Sequence, residues 1–205
     1  MQPFTVLTAV AAPYDRLNVD TDQILPARFL LKRRTDPDYP TYLFRDLRTK
    51  TDGTEHADFV LNQPAWRNAK IFVGNANFGG GSSREAAAIA FDRYGIRCVI
   101  AVNFGDIFYN NCVKNGVLPV RLPDAACAAI RAQLQAQPGA TLTVNLPEQH
   151  VTDVEGKRHA FDIDGFSKHC LIEGLSQIDL TLQKLDRIEA FEARYRETMS
   201  WADLR

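Results

Sequence analysis

The sequence has no closely spaced cysteines, no long apolar run and no excess of either charge. Its four cysteines lie 14, 15 and 43 positions apart along the 205 residues. Closed zinc and iron–sulfur sites usually need a close pair or triplet of cysteines, so the spacing predicts free thiols and no metal cluster in this chain. Free thiols are typical of a reducing compartment, and the predicted location is the cytoplasm.

The lack of long apolar runs excludes an obvious membrane-spanning helix, which needs about 18 consecutive apolar residues. Residues 1–4 also lack the basic and apolar segments of a secretory signal. Lys and Arg total 24 while Asp and Glu total 25, so the formal net charge is -1. This balance gives no support for a nucleic-acid or anionic-membrane partner. With 45% hydrophobic residues, the chain is predicted to fold as a single domain over residues 1–205.

Short strand-like and helix-like segments alternate along the chain, which predicts a mixed α/β fold. Strands are predicted at 70–74, 97–102, 117–122 and from Thr141, with a hairpin around Glu155-Gly156. Gly95 and Gly174 are predicted to end two of the helices. The predicted helices are 82–94, 106–114, 124–137 and 165–173.

Two further segments lack this alternation. Residues 16 to about 54 combine charged residues with three prolines, which predicts a long loop in the substrate-binding region. Residues from about 180 to 205 are predicted to form a C-terminal helical extension. An apolar stripe along this extension favours packing in the core or against another subunit over a ligand site. The stripe consists of Leu182, Leu185, Ile188, Phe191 and Tyr195.

The strongest local feature is a glycine-rich turn between a predicted strand and a predicted helix, Asn77-Phe78-Gly79-Gly80-Gly81-Ser82-Ser83-Arg84-Glu85. Glycines permit close backbone approach, and a helix N-terminus offers unpaired N–H groups and a partial positive charge. Together with the Arg84 guanidinium, the turn is predicted to bind a carboxylate or a phosphate. A capped helix whose glycines serve only a tight turn explains the same residues equally well.

Three other polar runs flank this turn in the sequence. Asn18 to Pro26 includes Asp22, which can orient a base or an arginine, although the run equally suits local capping. The basic run 32–34 can bind a second carboxylate, whereas the amide-rich run 103–112 is predicted to be mainly structural. The four histidines lack metal-ligand spacing and are predicted to lie at the surface or to be hydrogen-bonded, not catalytic. They are His56, His150, His159 and His169.

Taken together, these runs resemble the small-subunit family of bacterial isopropylmalate isomerases, within the aconitase superfamily. The matching runs are 18–26, 77–85, 106–116 and 161–182, and the resemblance covers nearly the whole chain. It implies a swivelling β/β/α domain that docks on a large subunit, which holds a [4Fe-4S] cluster, with the active site between the two chains. The implied reaction is dehydration of 2-isopropylmalate and rehydration to 3-isopropylmalate in leucine biosynthesis, with iron acting as a Lewis acid.

The resemblance also implies roles for residues of the glycine-rich turn. Ser82 matches the position of the family's base, which removes the proton next to a carboxylate. Because a free serine is a poor base, it needs a positive field to act in this way. Ser83 and Arg84 match the family's contacts to a substrate carboxylate.

Further roles are implied for the segment that follows Asn18. Asp22 matches an acidic residue that supports the site, and Arg34 resembles the family's second carboxylate-binding arginine. Leu30 and Leu31, beside Phe29, match the segment that contacts the γ-substituent of the substrate. An apolar isopropyl group suits these apolar neighbours.

The sequence departs from the family pattern Gly-Cys-Gly-Ser-Ser-Arg-Glu-His-Ala-Pro-Trp-Ala. Gly80 replaces the cysteine, residues 86–89 replace His-Ala-Pro-Trp, and Asp36 replaces a glycine that usually closes the loop. Because the serines and the arginine remain, a hydro-lyase subunit is the predicted function. Three alternatives stay open: a paralogous small subunit for a related 2-substituted malate or maleate, a stand-alone anion-binding module, and a scaffolding subunit without catalysis.

Overall fold

The computed structural model describes residues 1–81, 84–199 and 201. The chain divides into two compact units, Met1–Gly174 and Leu175–Arg205. No helix among the described residues is both long and apolar enough to cross a bilayer.

The first unit is built on a seven-stranded sheet in the order β4-β3-β2-β1-β5-β6-β7. Strands β1 to β4 run parallel, whereas β5, β6 and β7 continue from the other side of β1 in antiparallel pairs. Ala12 lies opposite Phe72 in the parallel half, and Thr8 lies opposite Thr143 in the antiparallel half. The strands are β1 Val6–Pro13, β2 Ile71–Val73, β3 Cys98–Ala101, β4 Leu118–Arg121, β5 Thr141–Asn145, β6 His150–Thr152 and β7 Arg158–Ala160.

The predicted mixed α/β fold and the six strands from β2 onward are confirmed, whereas β1 was not predicted. The first half of β1 is partly exposed, and its buried second half reads Ala11-Ala12-Pro13. Alanine and proline are depleted in strands, so this segment has little local β signal. Its central position between β2 and β5 decides its conformation.

The four predicted helices of the first unit are confirmed within a few residues. Gly95 and Gly174 end two of them in the left-handed conformation, with φ of 100° and 68°. One buried face of α6 contains Cys127, Ile130 and Leu134. The helices are α4 Glu85–Tyr94, α5 Asp106–Lys114, α6 Asp124–Ala136 and α7 Gly165–Glu173.

The prediction of a plain loop over residues 16–54 is wrong in part, because this segment contains three four-residue helices. They are α1 Thr21–Ile24, α2 Tyr39–Tyr42 and α3 Arg45–Arg48. Local capping accounts for α1, since the Asp20 side chain accepts a hydrogen bond from the Gln23 N–H at 2.7 Å. A side chain of α3 ties α3 to α2 and to the residue after it, because Arg48 donates to the carbonyls of Pro40 and Leu43 at 3.2 and 3.3 Å.

A cluster of phenylalanines fills the space beneath the glycine-rich turn. Phe72 in β2, Phe91 in α4 and Phe108 in α5 are each at most 1% exposed. Phe78, within the turn, lies 5.8 Å from Phe72, 6.1 Å from Phe91 and 5.8 Å from Phe108 between ring centroids. These contacts anchor the turn to a sheet strand and two helices at once.

The second unit contains α8 Gln177–Leu182 and α9 Leu185–Thr198. Ser176 and Asp179 form a capping box at the start of α8. The predicted helical extension is therefore present over its described residues. Neither helix contains a buried residue, so the apolar stripe does not pack in a core of this chain, and its packing against another subunit stays a prediction. The rings of Phe191 and Tyr195 stack on each other, and both side chains are exposed.

Asp153 closes the predicted hairpin and is 5% exposed. Its carboxylate accepts hydrogen bonds from the N–H groups of Glu155 and Lys157 at 3.0 and 2.9 Å, and its other oxygen lies 2.9 Å from His159 Nε2. Burial by itself raises the pKa of Asp153. Hydrogen bonds with His159, Lys157, Gln133 and Glu155 together lower this pKa by more, so it lies below the ordinary aspartate value.

We expect Asp153→Ala to lower the free energy of unfolding by about 1–3 kcal/mol at neutral pH, because buried hydrogen-bonding groups lose their partner. A depressed pKa stabilises the fold above the ordinary aspartate pKa, and this contribution is lost as the pH falls through the folded-state value. The difference in the free energy of unfolding between wild type and variant should therefore become smaller as the pH is lowered. Urea unfolding at neutral and acidic pH measures this, and a constant difference would contradict the assignment.

Candidate active site

The glycine-rich turn is in direct backbone contact with the segment that begins at Asn18. The Gly79 N–H donates to the Val19 carbonyl at 2.6 Å, and the Thr21 N–H donates to the Gly80 carbonyl at 3.0 Å. Two runs that lie about 60 residues apart in the sequence therefore form one surface, as the resemblance implies.

Two glycines make this close approach possible. Gly79 has φ of 70°, and an added Cβ would lie 2.2 Å from the Phe108 ring. A Cβ on Gly105 would lie 2.6 Å from the Gly79 carbonyl oxygen. No real side chain tolerates such distances, so both positions require glycine.

Asparagine side chains brace the same turn. Asn77 has a left-handed backbone, and its Nδ2 donates to Asn18 Oδ1 at 2.9 Å. The Asn77 N–H donates to Asn103 Oδ1 at 2.5 Å, and the Phe78 N–H donates to the Asn103 carbonyl at 3.1 Å. Asn103 thus ties the loop after β3 to the turn, which agrees with the structural role predicted for the run 103–112.

Arg84 and Asp22 form an ion pair at the start of α4. Arg84 is the N-cap residue of α4, and its side chain is 15% exposed. Asp22 lies in the first turn of α1, and its side chain is 54% exposed. The carboxylate therefore pairs with a largely buried guanidinium from its solvent side.

Arg34 reaches the same end of α4 from the loop after α1. Its Nη2 lies 2.9 Å from Glu85 Oε1, and its Nη1 donates to Asn115 Oδ1 at 3.5 Å. Glu85 is the first residue of α4, next to Arg84. Two cationic side chains thus converge on one helix N-terminus, where the partial positive charge of the helix also favours anions.

Glu85 and Asn115 were not selected as site residues from the sequence. Glu85 belongs to the glycine-rich motif and Asn115 to the matching run 106–116, but no spacing rule connects two residues that lie 30 positions apart. Only the packing of α4 beside the end of α5 brings them together. The Arg34 contact to Asn115 spans 81 positions and is equally absent from local patterns.

The remaining predicted site residues are placed differently. Leu30 and Leu31 are exposed, Leu31 by 98%, so in this chain alone they contact little. Phe29 stacks on Tyr42 with ring centroids 4.3 Å apart. Ser82 and Ser83 lie outside the described residues.

Two of the four histidine side chains have a polar partner, in line with the prediction of surface or hydrogen-bonded positions. His159 is bound to Asp153, and His150 Nδ1 lies 3.5 Å from Glu148 Oε2.

Across residues 1–81, 84–199 and 201, no three His, Cys, Asp or Glu side chains are grouped to hold a metal ion. All four cysteines are free and buried, and burial raises the pKa of the Cys127 thiol to about 11. These thiols do not fit the ligand set of an iron–sulfur cluster.

Comparison with known proteins identifies the chain's relatives. Residues 1–125 match the aconitase C-terminal domain family, residues 128–165 match LeuD_N, and residues 178–205 match the C-terminal domain of the 3-isopropylmalate dehydratase small subunit. The 3-isopropylmalate dehydratase small subunit of Paramagnetospirillum magneticum is 48% identical over 202 residues, covering 98% of this chain and 100% of the relative. The chain belongs to the 3-isopropylmalate dehydratase small-subunit family.

Other members of this family are similar in sequence and fold. The 3-isopropylmalate dehydratase small subunit of Rhodospirillum centenum is 48% identical over 203 residues, covering 98% of this chain and 99% of that relative. The crystal structure of 3-isopropylmalate dehydratase (leuD) from Methanocaldococcus jannaschii has a TM-score of 0.66 at 24% identity. That alignment covers 90% of this chain and 99% of the other, and it confirms the predicted fold of the aconitase small-subunit type.

The structure accommodates this chain's departures from the small-subunit family pattern. A Cβ on Gly80 would approach Asn77 Oδ1 to 3.2 Å, so the Asn77 amide occupies the space beside it. The segment that replaces His-Ala-Pro-Trp is largely buried in α4, with Ala87 and Ala88 fully buried. Asp36 Oδ2 accepts a hydrogen bond from the Tyr42 hydroxyl at 3.1 Å, which ties the loop end to α2.

We expect Gly79→Ala to destabilise the chain by about 2 kcal/mol or more, since the methyl group must displace the Phe108 ring in a close-packed region. Gly53→Ala is the matched control, because Gly53 has φ of 86° and open space around its Cα. The control measures the cost of the left-handed backbone alone. Thermal unfolding compares the two variants. Equal losses of stability would show that the contact with the Phe108 ring adds nothing to the cost of the substitution.

Proposed function

We propose that this chain is the small subunit of a cytoplasmic hydro-lyase that interconverts 2-isopropylmalate and 3-isopropylmalate in leucine biosynthesis. The observation that carries the proposal is the convergence of Arg84 and Arg34 on the first turn of α4. Two guanidinium groups beside one helix N-terminus suit a substrate with two carboxylates. Membership of the small-subunit family supports this reaction over other dicarboxylate chemistry.

In this proposal Arg84 binds one substrate carboxylate, with Asp22 holding its guanidinium in place. Arg34 binds the second carboxylate. Leu30 and Leu31 contact the isopropyl group, which accounts for apolar side chains that are exposed in this chain by itself. Ser83 adds a hydrogen bond to the carboxylate held by Arg84.

Ser82 takes the role of the base. In its deprotonated form Ser82 takes the proton from the carbon next to a carboxylate, the C–O bond of the neighbouring carbon breaks, and the departing hydroxide takes a proton from solvent to become water. Rehydration reverses these steps, with water adding to the double bond and Ser82 returning its proton to carbon. A deprotonated serine hydroxyl group needs a positive field, and we assign that field to the N-terminal end of α4 and to Arg84, which follows Ser82 by two positions in the sequence. The same groups stabilise the negative charge that develops on the substrate in the transition state.

The active site is proposed to lie between this chain and a large subunit, as the small-subunit name of its relatives suggests. We place the [4Fe-4S] cluster on that large subunit, because the described residues of this chain offer no set of ligands for it.

A paralogous enzyme for a related 2-substituted malate or maleate is the second candidate, which the replacements at Gly80 and Asp36 favour. Turnover of these acids beside isopropylmalate by the complex distinguishes the two.

We expect Ser82→Ala to lower kcat by about 10²–10⁴-fold, the usual contribution of a general base. The variant is purified with the large subunit, its cluster is reconstituted without oxygen, and the absorbance of the unsaturated intermediate is followed. Ser167→Ala, in α7, is the control and should keep wild-type turnover. Full activity of Ser82→Ala would exclude Ser82 as the base.

We expect Arg84→Lys to lower kcat/KM by about 10- to 100-fold with the fold intact, since lysine keeps the charge but loses the planar fork that binds a carboxylate. Arg67→Lys is the matched control, because Arg67 pairs with Glu55 away from this site. Near-normal kinetics of Arg84→Lys would contradict the role of Arg84.

Binding of inorganic phosphate by the isolated chain, with no isopropylmalate turnover by the complex, would favour an anion-binding module instead.

A further inference from the structure

The loop that carries Arg34 is held against α4 by side chains that the proposed reaction does not use. Arg34 contacts Glu85 and Asn115, which come from two different helix ends. Both contacts bridge long stretches of sequence, so local backbone structure does not set the position of Arg34 relative to Arg84. We call these three residues the Arg34 clasp.

Asn115 is the central member of the Arg34 clasp. Its Nδ2 donates to Glu85 Oε1 at 3.2 Å and to the Asn111 carbonyl at 2.8 Å, and its Oδ1 accepts from Arg34 at 3.5 Å. The Asn111 carbonyl lies in the last turn of α5 and fixes the orientation of the amide. An amide supplies the two donors and the acceptor that these three contacts use, whereas a hydroxyl group has only one donor.

Glu85 supplies the charge of the Arg34 clasp. Its Oε1 faces both Arg34 and Asn115. Partial burial raises the pKa of Glu85, but hydrogen bonds with Asn115 and Arg34 and the charges of Arg34 and Lys114 lower it more, so the pKa is lowered overall. Glu85 is therefore anionic at neutral pH, and it compensates the Arg34 charge when no substrate is bound.

Arg34 keeps binding capacity within the clasp. The contacts to Glu85 and Asn115 use Nη2 and Nη1. Among the described residues, none is bound to Nε, so the Nε edge of the guanidinium is available to a second carboxylate. Arginine presents five N–H groups in a fixed plane, which lets it bind two acceptors along different edges.

We propose that Glu85 and Asn115 are positioning residues that hold Arg34 beside Arg84 before the substrate arrives. This inference rests on the proposed function of Arg34 and adds to it the residues that place the second carboxylate site. An exposed ion pair alone contributes little, but a three-membered network that joins a loop to two helix ends restricts the loop. The substrate then meets two arginines that are already in place, which lowers the entropic cost of binding.

Glu85→Gln and Glu85→Ala separate the parts of the clasp. Glutamine keeps an oxygen acceptor for Arg34 and Asn115 but removes the charge, whereas alanine removes both. We expect amide hydrogen exchange of residues 27–38 in the full chain to accelerate by about 2- to 5-fold in the alanine variant and by less in the glutamine variant. In the complex with the large subunit, KM for isopropylmalate should rise more in Glu85→Ala than in Glu85→Gln, while kcat changes by less than about twofold in both variants.

Glu55→Gln and Glu55→Ala are the matched controls. Glu55 pairs with Arg67 at the same side-chain exposure of 45% as Glu85 but lies outside the site. They should leave exchange of residues 27–38 and KM unchanged. Unchanged exchange in Glu85→Ala, equal effects in the controls, or a loss of kcat without a rise in KM would overturn the positioning role.

The two measurements separate failure of this inference from failure of the proposed function. Hydrogen exchange needs no substrate and decides whether the clasp holds the loop. A wild-type complex that does not turn over isopropylmalate would contradict the proposed function and the role of Arg34 in it, whatever the exchange result. An active complex in which Glu85→Ala has wild-type KM would contradict only the positioning role.

Discussion

The site depends on one close contact between two backbone segments. Gly79 donates to the Val19 carbonyl and packs its Cα against the Phe108 ring, and Gly105 approaches the Gly79 carbonyl from the other side. A side chain at either glycine would separate the glycine-rich turn from the segment that carries Asp22. The Asp22–Arg84 pair forms only because this contact brings α1 and α4 together.

A second constraint is electrostatic. Arg84, at the start of α4, and Arg34, which reaches it from the loop after α1, are each matched by one carboxylate of the same chain, Asp22 for Arg84 and Glu85 for Arg34. Unpaired cations close together would repel each other and disfavour the compact site. The acids keep the arginines in position, yet they are exposed enough for solvent or a ligand to reach the pairs.

Much of the fold could be predicted from local sequence. Apolar runs and glycine stops located six of the seven strands and the four helices of the first unit, because burial and left-handed helix ends leave local patterns. β1 was missed because its buried half is Ala11-Ala12-Pro13, whose strand conformation comes from its two neighbours. The apolar stripe along α8 and α9 predicted packing in the core or against another subunit, and the helices have no buried residue within this chain, because periodicity shows an apolar face without showing what covers it.

The sequence by itself determined the chemical groups of the candidate site: a glycine-rich turn before a helix, an arginine at the helix cap, and an acid and a second arginine in an earlier segment. Only the tertiary structure decided which of them meet. Asp22 reaches Arg84 across 62 positions, and Arg34 reaches Asn115 across 81. Local patterns carry no information about such pairings, because they arise when the sheet and helices pack, and backbone contact through Gly79 and Gly105 then selects the neighbours.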